Sequence, residues 1–215
     1  MVSMVTANTS GPRPYGGVDA ADRQASRRAR LLAAGLDMLG AEPAEIAEVT
    51  VRGICREAGL TARYFYESFA DKDELVSAVF DAVIADLAAK TRSVVNSAPA
   101  DQQTHAGISN IVRTIAGDTR IGRLLFGAHL SNAVVVRKRA ESSALLAMLS
   151  GQHAGAVLRL PANDRIKAAG HFVVGGVAQT ISAWLTGEVQ FTPERLIEHL
   201  TALLDRLGNP NLYRD

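Results

Sequence analysis

Four polar side chains stand close together in the sequence: Arg63, Tyr64, Tyr66 and Lys72. An arginine guanidinium matches the O6 and N7 acceptors of guanine, and a lysine is a point charge suited to phosphates. A tyrosine can bond to a phosphate or pack on a thymine methyl group, and the alternative for Tyr64 is packing on the first helix. We therefore expect these residues to contact a nucleic acid, with Arg63 reading a base. The alternative for Arg63 is a surface ion pair with Glu67, four residues on.

Two short helical patterns that meet at Gly59 hold these side chains. Thr50 is placed to cap the first helix, and Thr61 is placed to cap the second. Gly59 supplies the permissive backbone that the turn between them needs. Phe65 and Phe69 are spaced so that one helical face points inward, which leaves the polar residues on the other faces. This order predicts a helix-turn-helix.

The predicted DNA-binding surface also takes in the helix caps and the arginines at the entry to the first helix, which can lie along phosphates. From Asp22 to Phe80 there are eight Lys or Arg against ten Asp or Glu, so the distribution of charge carries the signal and the net charge does not. The alternative for the entry arginines is a solvated helix face. The predicted DNA-binding residues are Arg23, Arg27, Thr50, Arg52, Thr61, Ala62, Arg63, Tyr64, Tyr66 and Lys72.

Composition sets the class of protein. The chain has 215 residues, of which 47% are hydrophobic, and a formal net charge of +1, so it can bury a sizeable core. The lone Cys55 excludes an internal disulfide and a zinc-ligand pattern, which favours the cytoplasm. The most apolar stretch, 171–185, is interrupted by polar residues, so we expect no membrane span. The Ser- and Gly-containing segment 1–21 is expected to be a disordered tail.

Every convincing apolar period after the motif is also helical. Asp71 and Glu74 form a capping-box pattern for a long helix that connects the motif to the remaining chain. Apolar stripes mark later helices around 108–115, 121–128, 164–186 and 192–207. The sequence predicts an all-α protein with a three-helix DNA-binding domain at 22–82 and a larger helical domain at 83–215.

The run from Ala58 to Leu75 resembles the recognition core of TetR-type bacterial transcription regulators. Thr61, Tyr66, Phe69 and Lys72 fall on the positions that this family usually fills with those residue types. The resemblance implies a homodimeric repressor that releases its operator when a small molecule binds. Arg63, Tyr64 and Ser68 depart from the common glycine, threonine and histidine, which affects the operator sequence and leaves the fold unaffected.

Catalysis finds no support in the sequence. The five histidines are scattered, and no paired histidines, phosphate loop or nucleophile motif is present, so we predict neither an enzyme nor a cofactor or metal site. A second alternative is a helical small-molecule-binding or scaffolding protein with a purely structural helix-turn-helix. The exposed polar set around Arg63 argues against it, because a scaffold has no need for such residues together on one surface.

The larger domain is predicted to dimerise and to bind a mostly apolar effector. Gly175, Gly176 and Ala183 permit close approach of helix backbones, which favours a dimer built by the last two helices. Large or polar residues on otherwise apolar helices are typical of pockets, although core and dimer packing explain them equally well. The predicted pocket residues are Ile111, Phe126, His129, Phe172, Gln179 and Trp184.

Overall fold

The computed structural model describes residues 20–42, 49–127 and 132–213, and within these ranges it contains helices and no strand. The all-α prediction is confirmed. The α-helices of the described residues are α1 (Ala20–Leu39), α2 (Val51–Ala58), α3 (Ala62–Tyr66), α4 (Lys72–Ser97), α5 (Gln103–Gly117), α6 (Thr119–Phe126), α7 (Ala133–Leu158), α8 (Asp164–Leu185) and α9 (Pro193–Arg206). The predicted tail lies almost wholly outside the described residues.

Local capping explains where the helices of the N-terminal domain begin and end. The Thr50 hydroxyl accepts a hydrogen bond from the Gly53 amide at 3.0 Å, which caps α2 as predicted. Gly59 then ends α2 in the left-handed conformation, with φ 60° and ψ 38°. Asp71 accepts from the Glu74 amide at 2.8 Å and begins α4. The Glu74 carboxylate reaches back to the amide of Ala70, one residue earlier than in a regular capping box.

An aromatic core holds α1 to α4 together. Phe65, Phe69 and Phe80 are fully buried, as are Leu31 of α1 and Ile54 of α2. The same cluster of buried residues continues into α6 and α7, so the N-terminal domain shares its core with the helices beneath it. The predicted domain boundary at residues 82 and 83 falls inside α4, which runs through both regions without a break.

Helix α6 connects α1 to α7. Arg120 at its start forms ion pairs with Asp37 of α1 and with Asp118, its N-cap. Arg123 donates to the Gly40 carbonyl oxygen at 2.7 Å. At the other end of α6, the half-buried Arg139 of α7 donates to carbonyl oxygens of residues 123, 124 and 127 at 2.7 to 2.9 Å. These bonds satisfy carbonyls that the end of a helix leaves unpaired.

The C-terminal helices pack in two further groups. Helices α5 and α9 share a small cluster of buried residues around Val112 and Leu196. Helices α7 and α8 pack side by side, and a Cβ added at Gly170 would collide with the carbonyl oxygen of Ala147. The sequence did not single out α7, because its apolar residues are spread around the helix and several are exposed, Leu145 and Met148 among them.

The described residues show neither a cluster of metal ligands nor a membrane-spanning helix. Among residues 20–42, 49–127 and 132–213 there is no group of three or more His, Cys, Asp or Glu side chains that could hold a metal ion. No helix in the same ranges is long and apolar enough to cross a membrane.

Candidate nucleic-acid interface

Helix α3 presents most of the predicted DNA-contact residues on the surface. Thr61 and Ala62 are exposed at its start, Arg63 has an 84% exposed side chain, and Tyr66 is 61% exposed. Phe65, between them, is fully buried and packs against Phe69 with ring centroids 5.8 Å apart. The helix is therefore fixed from below by aromatic packing while its outer side remains open to a partner.

The alternative interpretation of Arg63 is present in the structure together with its exposure. Its Nε lies 3.1 Å from Oε1 of Glu67, the i,i+4 pair that the sequence suggested. An exposed pair of this kind contributes about 0–1 kcal/mol, whereas a two-pronged arginine contact to guanine contributes about 1–3 kcal/mol. The ion pair is therefore weak enough for a base contact to replace it.

Arginines of α1 hold α3 in place from the side. The Arg27 guanidinium lies over the Tyr64 ring, 4.4 Å from its centroid, and 3.6 Å from the Glu67 carboxylate. Arg28 donates to the Ser68 carbonyl oxygen at 2.7 Å and lies over the Phe69 ring. The sequence treated this arginine cluster as a phosphate surface or a solvated face, and it missed these bonds, because they depend on how α1 crosses α3.

Arg30 extends the same arrangement to the turn. Its guanidinium donates to the Ala58 carbonyl oxygen at 2.6 Å, at the C-terminal end of α2. A cation at a helix C-terminus is favourable because the unpaired carbonyls there carry partial negative charge. Arg30 therefore holds the turn at Gly59, and with it the angle between α2 and α3. Three of the arginines near the entry to α1 therefore bond to or stack on neighbouring residues of the domain, and Arg23 is exposed.

The predicted phosphate contacts lie at three helix starts. Thr50 and Arg52 are exposed at the start of α2. Thr61 occupies the N-cap of α3 as predicted, but its hydroxyl makes no capping hydrogen bond. Lys72 is half-buried at the first position of α4, beside the carboxylates of Asp71 and Glu74 that already accept from two amides. Because these carboxylates already occupy the two amides, the charge of Lys72 would be the main attraction for a phosphate at the start of α4.

Cys55 lies in the core of this domain and takes no part in the surface. Burial raises the pKa of the Cys55 thiol, so the side chain stays protonated and behaves as a small apolar group.

The predicted pocket residues do not share one cavity in the described part of the chain. Ile111 and Phe126 are partly buried against the N-terminal core. Trp184 packs near α9 and donates from Nε1 to the Phe191 carbonyl oxygen at 2.9 Å. Phe172 is 68% exposed and Gln179 is exposed, because α8 turns Ile166 and Gly170 inward and these two residues outward. His129 lies outside the described residues.

A groove that the sequence did not predict runs between α7 and α8. It has a volume of about 660 Å³, which is within the range of small-molecule sites. Its floor includes Ala147, Gly151 and Gly155, at a spacing of four residues. That spacing places small residues on one helical face and was the available signal in the sequence.

Residues 31–79 match the family model described as bacterial regulatory proteins, tetR family. The match identifies the helix-turn-helix region as a domain of the tetR family type. Proteins of this family are transcriptional regulators that bind DNA, and they are not enzymes. No curated protein sequence matches the chain.

Solved structures share the fold over most of the chain. The fatty acid degradation regulator FadR from Bacillus halodurans has a TM-score of 0.65 and 16% identity, over 83% of this chain and 94% of that one. FadR from Bacillus subtilis in complex with stearoyl-CoA has a TM-score of 0.63 and 16% identity, over 82% of this chain and 96% of that one. A TetR-like transcriptional regulator from Rhodococcus sp. RHA1 has a TM-score of 0.63 and 16% identity, over 85% of this chain and 95% of that one. At these identities the likeness shows the fold.

Proposed function

We propose that this TetR-family regulator is a homodimeric repressor that binds a pseudo-palindromic operator and releases it when a small, mostly apolar effector binds the C-terminal domain. The observation that carries the proposal is the surface of α3, where Arg63 and Tyr66 stand exposed on a fully buried aromatic base. The cytoplasm, where operator DNA is accessible, is the corresponding location.

The DNA contacts divide by chemistry. Arg63 is the base-reading residue, because its guanidinium is exposed near the start of α3 and its pair with Glu67 is easily replaced. Tyr66, Lys72, Arg52 and the threonine caps contact phosphates, which position the domain without reading sequence. Tyr64 and Arg27 stack on each other and orient the surface from the side of α1.

The homodimer is supported by the outer face of α8 and α9. Phe172 is 68% exposed and Leu203 is 46% exposed, and apolar side chains in water do not stabilise a monomer. A Cβ added at Gly175 or Gly176 would meet no heavy atom within 4 Å among the described residues, so a second copy has room to approach. Two-fold pairing through this face would give the two DNA-binding domains the symmetry of a pseudo-palindrome.

The response to an effector is supported by the way the domains are joined. Helix α4 runs from the DNA-binding domain into the larger domain, and Lys138 of α7 pairs with Asp81 on it at 2.7 Å. Helix α6 forms a second connection, between Asp37 of α1 and Arg139 of α7. FadR from Bacillus subtilis, which has the same fold, binds stearoyl-CoA. An effector that favours one arrangement of these helices would shift the DNA-binding domains.

Selection of bound fragments from a random duplex library tests the proposal. We expect enrichment of two inverted half-sites whose centres lie about one helical turn, or a multiple of it, apart. Sedimentation of the protein at micromolar concentration should give a dimer, and Gly176→Leu should shift it toward the monomer without changing the fold. An unenriched library would favour a scaffolding or small-molecule-binding protein with a structural helix-turn-helix.

A further inference from the structure

The groove between α7 and α8 has two walls and a floor. On α7, Met148, Gln152 and Ala156 follow one another at four-residue spacing along one wall. Along the other wall, Asn163, the N-cap of α8, is followed at the same spacing by Lys167 and His171. Residues four apart lie on one face of a helix, so each wall is continuous. The groove is therefore elongated along the helices and open on one side.

Small residues form the floor and let the two helices approach closely. The helices approach each other closely at Gly170, where an added Cβ would collide with the Ala147 carbonyl oxygen. Next to that point, Gly151 and Gly155 are buried and bring no side chain into the seam. The remaining floor is apolar, with Ile166 buried beneath the opening and Leu160 at one end. An aliphatic chain lying on this floor would remove apolar surface from water on both sides.

Positive charge gathers along the same opening. Among the described lining residues, Arg159 and Lys167 are cationic and none is acidic. Lys167 pairs with Asp164 at 2.8 Å outside the lining, and both side chains are strongly exposed, so the pair is easily replaced. An anionic group at this edge would find two exposed cations and would meet no carboxylate in the lining.

Arg159 occupies an unusual backbone position. It ends α7 in the left-handed conformation with φ 54°, which is the one positive φ of a non-glycine residue in the described chain. A side chain at this position carries strain of about 1–2 kcal/mol that glycine would avoid. Backbone strain of this kind concentrates at functional sites, which is consistent with a use for the arginine at the end of the groove.

We propose that the groove between α7 and α8 binds a free amphiphile with an aliphatic chain and an anionic head group, and that this molecule is the effector. The effector role rests on the proposed function, whereas binding in the groove does not. Ala147, at the near end of the groove, lies about 12 Å along α7 from Arg139, given a rise of about 1.5 Å per residue. A shift of α7 against α8 would reach α6 through the bonds of Arg139 and reach α1 through Arg120 and Arg123.

Calorimetric titration of the full-length protein with dodecanoate, below its micelle concentration, tests the site. We expect one molecule bound per chain, with an affinity about tenfold or more above that of dodecanol, because the carboxylate gains charge-assisted hydrogen bonds. Dodecyltrimethylammonium should not bind. Equal affinities for the acid and the alcohol would overturn the assignment of an anionic head group.

Two sets of variants locate the binding. Arg159→Asn with Lys167→Gln should weaken dodecanoate binding about tenfold or more and leave dodecanol unchanged, since both cations are removed. Arg92→Gln with Arg137→Gln removes two exposed cations elsewhere and should leave both ligands unchanged. Ala156→Trp fills the groove and should abolish binding of both, with thermal unfolding confirming that the variant folds. Unaltered dodecanoate binding by the two groove variants would overturn the location.

A gel shift on the selected operator, with and without dodecanoate, tests the effector role. Dodecanoate should weaken operator binding by the unmodified protein and should have no effect on the Ala156→Trp variant. Binding in the groove with unchanged operator affinity would overturn the effector role and leave operator binding itself intact. Failure of the library selection would instead overturn the proposed function, and the calorimetry would still decide whether the groove binds an anionic amphiphile.

Discussion

The DNA-binding domain and the α7–α8 pair use their apolar residues in opposite ways. In the DNA-binding domain the large side chains are inside, and Phe65, Phe69 and Phe80 are all buried. Along α7 and α8 glycine and alanine fill the seam, while Met148 and Phe172 stand in the open. The first region is completed by its own chain, whereas the second retains apolar surface that a second copy or a ligand can cover. The more completely packed region is therefore the one that carries the proposed DNA contacts.

Polar bonds follow the same division. Guanidinium groups of Arg28 and Arg30 hold carbonyl oxygens of neighbouring helices in the DNA-binding domain. Between α7 and α8, the close approach at Gly170 is a contact of backbone atoms that involves no charged side chain. A seam of small residues can slide at lower cost than one held by directional bonds, so a shift between helices is easier in the second region.

The largest expected effect comes from emptying the aromatic core. Phe65→Ala should lower the free energy of unfolding by about 3–5 kcal/mol, because it removes a fully buried ring and leaves a cavity. Phe172→Ala, the matched change on the exposed face, should cost the monomer less than about 0.5 kcal/mol and should weaken the dimer. Urea unfolding and sedimentation of both variants measure the difference. Similar losses of unfolding free energy would contradict the division between the regions.

The next effect concerns the bonds at the end of α6. Arg139→Met keeps much of the side-chain volume but leaves the α6 carbonyls without their donor, so we expect a loss of about 1–3 kcal/mol. Burial lowers the pKa of the Arg139 guanidinium, although it stays charged at neutral pH. Arg137→Met, two residues earlier in an exposed pair with Glu141, is the control and should cost about 0.5 kcal/mol or less. Equal losses of unfolding free energy in the two variants would show that Arg139 does not stabilise the contact between α6 and α7.

The third prediction distinguishes a residue that reads a base from one that contacts a phosphate. Arg63→Ala should cost about 1–3 kcal/mol in operator binding and relax the preference at one position. Lys72→Ala should weaken all sequences alike and reduce the slope of affinity against salt by about one. Binding measured on the selected operator and on a scrambled duplex at several salt concentrations distinguishes the two. Unchanged operator affinity in both variants would rule out the assignment.

The smallest effect is an acid dependence at the start of α6. Hydrogen bonding to Arg120 holds the pKa of Asp118 below its ordinary value of 3.8. The folded state therefore gains stability from Asp118 above about pH 3.8, and this gain is lost as the pH falls through the lower folded-state pKa. Asp118→Asn should reduce stability at neutral pH and make unfolding less steep in acid. Asp86→Asn, which breaks an exposed pair with Lys90, is the control.

Local signals made the DNA-binding domain readable from the sequence. Thr50, Gly59 and Asp71 mark helix ends through bonds within a few residues, and the four-residue spacing of Phe65 and Phe69 identified the buried face. These features depend on the neighbouring chain alone, so no knowledge of tertiary structure was needed. The Arg63–Glu67 pair was found for the same reason.

The pocket and the connections between domains depend on distant parts of the chain. Phe172 and Trp184 looked alike as large residues on a helix of small ones, yet one is exposed and the other packs near α9. Which side of α8 meets α7 is decided at Gly170, and a sequence pattern that is apolar on several sides does not fix it. The bonds of Arg139 join residues that lie 12 to 16 positions apart and required the folded chain.

Gly40 gives this fold a site at which the angle of the DNA-binding domain can evolve. It is buried at the end of α1, and a Cβ there would lie 2.5 Å from the Cβ of Arg120. Any other residue must push α6 away from α1, so each larger side chain acts as a wedge of a different thickness. In the proposed dimer, a library of substitutions at position 40 should then change the preferred half-site spacing, although Gly40 lies outside both α3 and the α7–α8 groove.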